Sequence, residues 1–306
     1  MVSVLLATFE GMAHLPEQIA TLRGQTADFR VLWQDDGSTD GTADFLASLA
    51  DGRFTPGNQQ GQHLGATGNF LSLLRQDDAP YTALCDQDDL WQPEKLARCL
   101  AAMVQAEAAY GPETPILIHH DCRVVSADGA VLHDSFFRHQ GWDPRANTLP
   151  RLLVQNNVTG CTCVMNAALR RLVAEHARAE SLFMHDWFIA LTAAAFGHIV
   201  FVDAPLVDYR QHGSNVLGAS RHGLIRRGIA ALRTPERARD RIRLTYRQAR
   251  AFRDLYAGAL PETAAAIVDG YLAIGGLPKS KRLAALKAGG YLMQSPLTRL
   301  GQRIFG

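Results

Sequence analysis

The chain of 306 residues carries 31 Lys and Arg against 30 Asp and Glu, with 47% hydrophobic and 20% charged residues. A net charge of +1 excludes a general nucleic-acid binder, and near-average apolar content suits a small globular enzyme with one large core, or one core and an appendage. Five scattered cysteines form neither a disulfide framework nor a zinc pattern. The start at Val2–Ala7 is too short, and too poor in basic residues, for a secretory leader, and the apolar stretches near 189–207 and 264–277 are interrupted before they could span a bilayer. A cytoplasmic protein is expected.

In chain order, Val2–Thr8 reads as a buried strand, and Leu15–Gln25 has helical spacing at Leu15, Ile19 and Leu22 with Pro16 in its first turn. Phe29–Trp33 is a second strand, running into the acidic turn Gln34-Asp35-Asp36-Gly37-Ser38-Thr39-Asp40-Gly41 and a helix over Thr42–Leu49. Gly61–Gly68 is a glycine-rich loop ahead of a helix over Asn69–Arg75. Tyr81, Ala83 and Cys85 then alternate with Thr82 and Leu84 as strand residues do, and the run delivers Asp86, Asp88 and Asp89. This alternation predicts an α/β fold with a mostly parallel, Rossmann-like sheet flanked by helices. Ligands in such sheets sit beyond the carboxyl ends of the strands, where Thr8-Phe9-Glu10, Asp35-Asp36 and Asp86–Asp89 all fall.

Asp86 and Asp88, two apart on extended chain, share a face and can reach one ion. Carboxylates this close repel unless a cation or proton compensates them, and Mg²⁺ or Mn²⁺ carrying a diphosphate fits such oxygen donors. The plain alternative is an acidic turn in which Asp89 caps a helix starting near Pro93.

An amphipathic helix follows Pro93 to about Ala109. The strand Pro115–Ile118 then ends in His119-His120-Asp121, a cluster read as a strand edge lining an acceptor cleft in preference to a second metal site. Phe136–Pro150 reads as a surface loop, and Gly160, within Asn156–Met165, allows close backbone approach. A helix over Ala167–Ala177 precedes Met184–Leu191, which opens another helix with Asp186 in its first turn. Two short strands, His198–Val202 and Leu206–Arg210, lead to Gln211-His212-Gly213-Ser214-Asn215. From Arg221 to Arg250 ten arginines face only Glu236 and Asp240, a basic helical appendage. Its functional reading is attraction to anionic lipid head groups or to a lipid-diphosphate acceptor; the plain one is a solvated helix face.

Four stretches together, Ser3–Phe9, Trp33–Asp40, Gly65–Phe70 and Cys85–Trp91, give a chain that resembles the inverting nucleotide-sugar glycosyltransferases of family 2, which have the GT-A fold. The resemblance spans about the first 215 residues. It implies a catalytic domain over 1–216, with a nucleotide-sugar half at 1–110 and an acceptor half at 111–216, followed by the basic helical region 217–306. It places Thr8, Phe9 and Glu10 at the nucleobase, with Asp36 on the base or ribose, Gly65 and Asn69 against the nucleotide, and Asp86 on the ribose or near the ion. Asp88 and His212 would hold Mg²⁺ or Mn²⁺ with Asp86. Asp89, Trp91, Gly160, His185 and Trp187 would line the acceptor and sugar pocket, and Asp186 would be the general base. Many relatives carry Tyr-Asn after the first strand, where this chain has Phe9-Glu10, which weakens the nucleobase contact.

The pattern looks most like bacterial rhamnosyltransferase-type members. That implies a dTDP- or UDP-sugar donor, a glycan or lipid-linked acceptor and surface polysaccharide assembly, and the basic run itself suggests peripheral membrane contact through residues 221–250. A sugar-1-phosphate nucleotidyltransferase would show an Arg-containing, glycine-rich loop after strand one, and Ala7–Ala13 does not. A non-catalytic nucleotide-sugar or glycan binding module has no need of the full acidic set with Asp186.

Overall fold

A computed structural model describes residues 1–58, 61–211 and 235–295, together with 298, 299 and 302. Within them one nine-stranded sheet has the order β3-β2-β1-β4-β8-β6-β9-β5, with β7 paired to β6. The first half is β1 (Val2–Thr8), β2 (Phe29–Asp35), β3 (Phe54–Pro56) and β4 (Tyr81–Asp86), joined by α1 (Leu15–Arg23), α2 (Thr42–Ala47) and α3 (Gly65–Gln76). All pairings within this half are parallel. β1 is the central strand, flanked by β2 and β4, so it is apolar on both faces: Val4 and Leu6 join one core, and Leu5 the other.

The second half comprises β5 (Leu90–Trp91), α4 (Lys95–Tyr110), β6 (Ile116–Val125), β7 (Val131–His133), α5 (Phe136–Gln140), α6 (Leu149–Val154), β8 (Val164–Asn166), α7 (Ala167–His176), α8 (His185–Phe196) and β9 (His198–Arg210). Its sheet is mixed. β6 and β9 are parallel, whereas β8 lies antiparallel to both β4 and β6, and β5 and β7 are antiparallel edge pairs. The α/β fold with flanking helices is as expected, with the parallel character concentrated in the first half. The two expected strands near 198–210 are one strand. Its pairing with β6 jumps from His120↔Val202 to Asp121↔Pro205, and this irregularity absorbs a proline that has no N–H to give the ladder.

Two cores sandwich the sheet. One packs Leu15, Ile19, Leu22, Leu96, Cys99 and Met103 of α1 and α4 against one face. The other packs α3, α6, α7 and α8 against the opposite face and continues into the C-terminal helices α9 (Pro235–Leu255), α10 (Glu262–Ile274) and α11 (Lys279–Ala288). Phe252 of α9 and Tyr256 just after it are fully buried against Phe188 of α8, with ring centroids 5.7 and 5.5 Å away. The basic helix therefore shares a core with the helix that carries Asp186.

The stretch expected as a surface loop, Phe136–Pro150, contains α5 and the start of α6. His119-His120-Asp121 does not line a cleft edge. β6 runs on to Val125, both imidazoles are fully buried, and burial pushes His119 down to about 3. The Asp121 carboxylate accepts hydrogen bonds from the Ser135 hydroxyl and from Phe136 N–H (3.1 Å), which fixes the start of α5.

Candidate active site

Strand register brings the acidic turns together. Thr8 pairs with Asp35, and Ala7 with Asp86, so the carboxylates of β2 and β4 emerge on either side of the end of β1. They emerge into different environments. Asp35 accepts from Thr8 Oγ1 (2.8 Å), Gly37 N–H (3.0 Å), Ser38 N–H (2.7 Å) and Ser38 Oγ (2.6 Å). Asp36 accepts from the N–H groups of Leu64 and Gly65, the latter at 2.7 Å, at the start of α3. Both are anchors of local backbone, and Thr8 faces Asp35.

Glu10, in a left-handed conformation at φ 48°, holds Thr39 through its N–H (2.8 Å) and hydroxyl (3.0 Å). It therefore braces the β2 turn. Phe9 is 44% exposed, with its ring 5.1 Å from that of His63. α3 starts four residues earlier than expected, at Gly65, which places Asn69 within the helix. Asn69 is buried and donates to Gln34 O at 3.0 Å, so it faces the sheet and not a ligand.

The β4 turn is different. Burial, then Asp88, then Asp186 push the Asp86 carboxyl up to about 7. Asp186, from the first turn of α8, is pushed up to about 7 by its own burial, against the opposing pull of N–H groups from Trp187 (2.5 Å) and Gly160. Asp88 and Asp186, from two distant parts of the chain, thus both bear on Asp86. Gly160 is what lets α8 come in: a Cβ there would stand 3.3 Å from His185 Nε2 and 3.8 Å from Asp186 Cβ. His185 is stacked on Phe70 at 4.5 Å and pushed down to about 4 by burial, so it flanks Asp186 as a neutral ring.

Asp89, Trp91 and Trp187, expected to line the acceptor and sugar pocket, are all buried. Asp89 accepts the Arg210 N–H (3.4 Å), and burial raises its carboxyl well above the usual range. Trp91 lies under the Lys95 ammonium, which is 3.1 Å from the ring centroid and donates to Cys161 O at 2.6 Å. Trp187 donates its indole N–H to Leu152 O at 2.7 Å within the core. The expected role of His212 lies outside the described residues.

Lys95 and Gln87 escaped the sequence reading. Lys95, fully buried, is a counter-charge beneath the acidic turn; four residues after a tryptophan it reads as an ordinary helix-start lysine. Arg210 fastens the same turn, donating Nε–H to Asp88 O at 3.0 Å and forming an ion pair with Glu17 at 2.6 Å. Gln87, between the two acids, grips the Phe9 backbone twice: it accepts from Phe9 N–H and donates to Phe9 O, each at 2.8 Å.

The donor set suits a divalent cation. Oxygens of Asp86 and Asp89 and the Cys161 sulfur lie within 4.8 Å of one another, one Asp89 oxygen has no hydrogen-bond partner, and Asp88 adds a further carboxylate to the turn. Desolvated like charges of this kind fit a cation better than they fit each other.

The family model of glycosyl transferase family 2 matches residues 3–176, which include both acidic turns. The chain belongs to glycosyl transferase family 2. It is a glycosyltransferase. Among its relatives, the dTDP-rhamnosyl transferase RfbG of Shigella flexneri is 25% identical over 234 residues, covering 70% of this chain and 74% of that protein. An uncharacterised glycosyltransferase of Nostoc, alr2836, is 31% identical over 224 residues, covering 70% and 66%. The crystal structure of Staphylococcus aureus TarS 1–349 in complex with UDP-GlcNAc superposes with a TM-score of 0.58 at 13% identity, over 99% of this chain and 91% of that one. The mannosyltransferase PcManGT of Pyrobaculum calidifontis, solved with GDP-Man and Mn²⁺, has a TM-score of 0.50 at 14% identity, over 94% and 85%. The family 2 assignment and its GT-A fold stand as the motifs implied.

Proposed function

We propose that this glycosyltransferase inverts configuration and depends on a divalent cation. It would move a sugar, rhamnose being the first candidate, from a dTDP- or UDP-sugar to a hydroxyl of a glycan or lipid-linked acceptor in bacterial surface polysaccharide synthesis. The observation that carries the reading is that Asp88 and Asp186, from separate parts of the chain, both raise the Asp86 carboxyl, beside a cluster in which Asp86, Asp89 and Cys161 could share one ion. The donor class is supported by the name of the Shigella relative and by the nucleotide sugar bound in TarS.

In this reading Asp86 and Asp88, with His212, hold Mg²⁺ or Mn²⁺, which when bound supplies a Lewis acid for the departing diphosphate. Phe9 offers a ring face to the nucleobase. Asp186 takes the acceptor hydroxyl proton as that oxygen bonds to the anomeric carbon and the bond to the diphosphate oxygen breaks. A carboxyl raised to about 7 is matched to this task, because it is substantially ionised at neutral pH and still basic enough to accept a proton. The Trp187 and Gly160 N–H groups fix its orientation.

In the same reading the enzyme would work in the cytoplasm with peripheral contact at the inner face of the membrane. No described helix is long and apolar enough to cross a bilayer. Asp186→Asn should lower transfer by about 10²–10⁴-fold while nucleotide affinity by calorimetry stays unchanged. Turnover near the wild-type rate would remove the assignment of the base.

A further inference from the structure

The net charge of +1 conceals a partition. Residues 1–220 hold 14 Lys and Arg against 25 Asp and Glu, a net of −11, whereas residues 221–306 hold 17 against 5, a net of +12. Six basic residues and no acid follow Asp269. Two halves of such opposite sign meet different surroundings.

The described C-terminal helices turn this charge outward. α9 buries Ile242, Thr245, Gln248, Ala249 and Phe252 on one side, and on the other it exposes Arg239, Arg243, Arg247 and Arg250. Acids on this helix are few: Asp240 pairs with Arg243 at 3.1 Å, and Glu236 and Asp254 are the others. Leu286 of α11 lines a small cavity with Ile242, Thr245 and Tyr246 of α9. The same helix exposes Lys279, Lys281 and Lys287. Two neighbouring helices thus carry a basic exterior.

The buried side of α9 reaches the candidate base. Gln248 Oε1 accepts the Phe183 N–H at 2.9 Å, three residues before Asp186, and Phe252 and Tyr256 pack on Phe188, two residues after it. The basic exterior therefore stands about one helix diameter, on the order of 10 Å, behind the segment that positions Asp186.

We infer that the exposed faces of α9 and α11 dock on an anionic phospholipid surface and so set α8 beside an acceptor held in that surface. A planar anionic leaflet attracts the basic faces and repels the acidic catalytic region, so charge fixes orientation as well as affinity. A long polyanion such as RNA would instead run on to the acidic region. The inference draws on the transferase reading only for the nature of the acceptor; the binding itself requires no turnover.

The experiment is flotation of the full chain with phosphatidylcholine vesicles, with and without phosphatidylglycerol, at low and high salt. Binding is expected only to the anionic vesicles and should fade with salt. Each basic residue at such a leaflet contributes on the order of fivefold, so Arg243→Gln, Arg247→Gln and Arg250→Gln together should weaken partitioning by on the order of 100-fold. Metal-dependent donor hydrolysis should be unchanged. If that variant melts early, Lys279→Gln, Lys281→Gln and Lys287→Gln on α11 give the same test. Equal binding to neutral vesicles, variants that bind as the wild type does, or an RNA duplex that displaces the vesicles would each overturn the inference. Vesicle binding without turnover would leave it standing and count against the transferase reading, and turnover on a soluble acceptor without vesicle binding would do the reverse.

Discussion

The two acidic turns at the head of the sheet, Asp35-Asp36 after β2 and Asp86-Gln87-Asp88-Asp89 after β4, look alike in sequence and differ in physics. The first is complete as it stands, because backbone N–H groups and hydroxyls satisfy both carboxylates. The second crowds desolvated carboxylates and draws Asp186 into the same electrostatic field. Acidity alone does not mark a catalytic turn. What marks it is buried carboxylates crowded together, with one Asp89 oxygen lacking a hydrogen-bond partner, which makes a cation the natural complement.

The sharpest way to break this contrast is to neutralise one acid in each turn. Asp88→Asn should reduce transfer by about 10³-fold and raise the Mn²⁺ concentration needed for half-maximal activity. Asp35→Ala strands the donors of Thr8, Gly37 and Ser38. It should therefore lower unfolding free energy by about 2–4 kcal/mol in denaturant melts, with the same metal requirement in the protein that remains folded. Equal metal dependence in both variants would erase the distinction between the turns.

Next in size is the pH response. With Asp186 raised to about 7, its basic form is lost on acidification, so kcat/KM should fall about tenfold per unit below pH 7. A flat profile down to pH 5 would place the base elsewhere.

Much of this was legible in sequence, and the failures share a cause. Alternation and apolar runs located β1, β2 and β4, because buried parallel strands have few other ways to be written, and their register sets the two acidic turns on either side of the end of β1. Asp186 was legible through the motif and its position in the first turn of a helix. What sequence could not reveal is which way a polar or aromatic side chain faces once the partners are distant. Trp91 and Trp187 resemble pocket walls, yet Lys95 and Leu152 O claim them for the core. Asn69 resembles a ligand contact, yet Gln34, 35 residues away in sequence, takes it. His119 and His120 resemble metal ligands until β6 continues past them and a second core closes over both.

A smaller effect tests the crowding in the absence of metal. Asp86 has a folded value raised from the usual 3.8 to about 7, so the folded state holds its proton more tightly than the unfolded chain does. The stability this gives is present below pH 4 and lost as pH rises through 7. In chelator, Asp86→Asn should match the wild-type melting temperature at pH 4 and exceed it by a few degrees at pH 8, and Mn²⁺ should close the gap by stabilising the wild type alone. A variant less stable than wild type at pH 8 would show that Asp86 is already satisfied by the protein.

The smallest effect concerns the link between the nucleobase side and the acidic turn. Gln87 sits between Asp86 and Asp88, yet its amide is spent on both backbone groups of Phe9, much as a neighbouring strand would spend its own. The fit is close: a Cβ on Gly11 would lie 2.3 Å from Gln87 Oε1, so the chain must leave that position bare for the amide to enter. Gln87→Ala removes two hydrogen bonds of about 1 kcal/mol each and frees the segment bearing Phe9. Donor KM should rise about tenfold with kcat little changed, since the groups that act at the anomeric carbon stay in place. Gly11→Ala, which expels the same amide without touching Gln87 itself, should reproduce the shift. If Gln87→Ala instead lowered kcat and left KM alone, the residue would belong to the acidic turn's chemistry and not to the placement of the nucleobase.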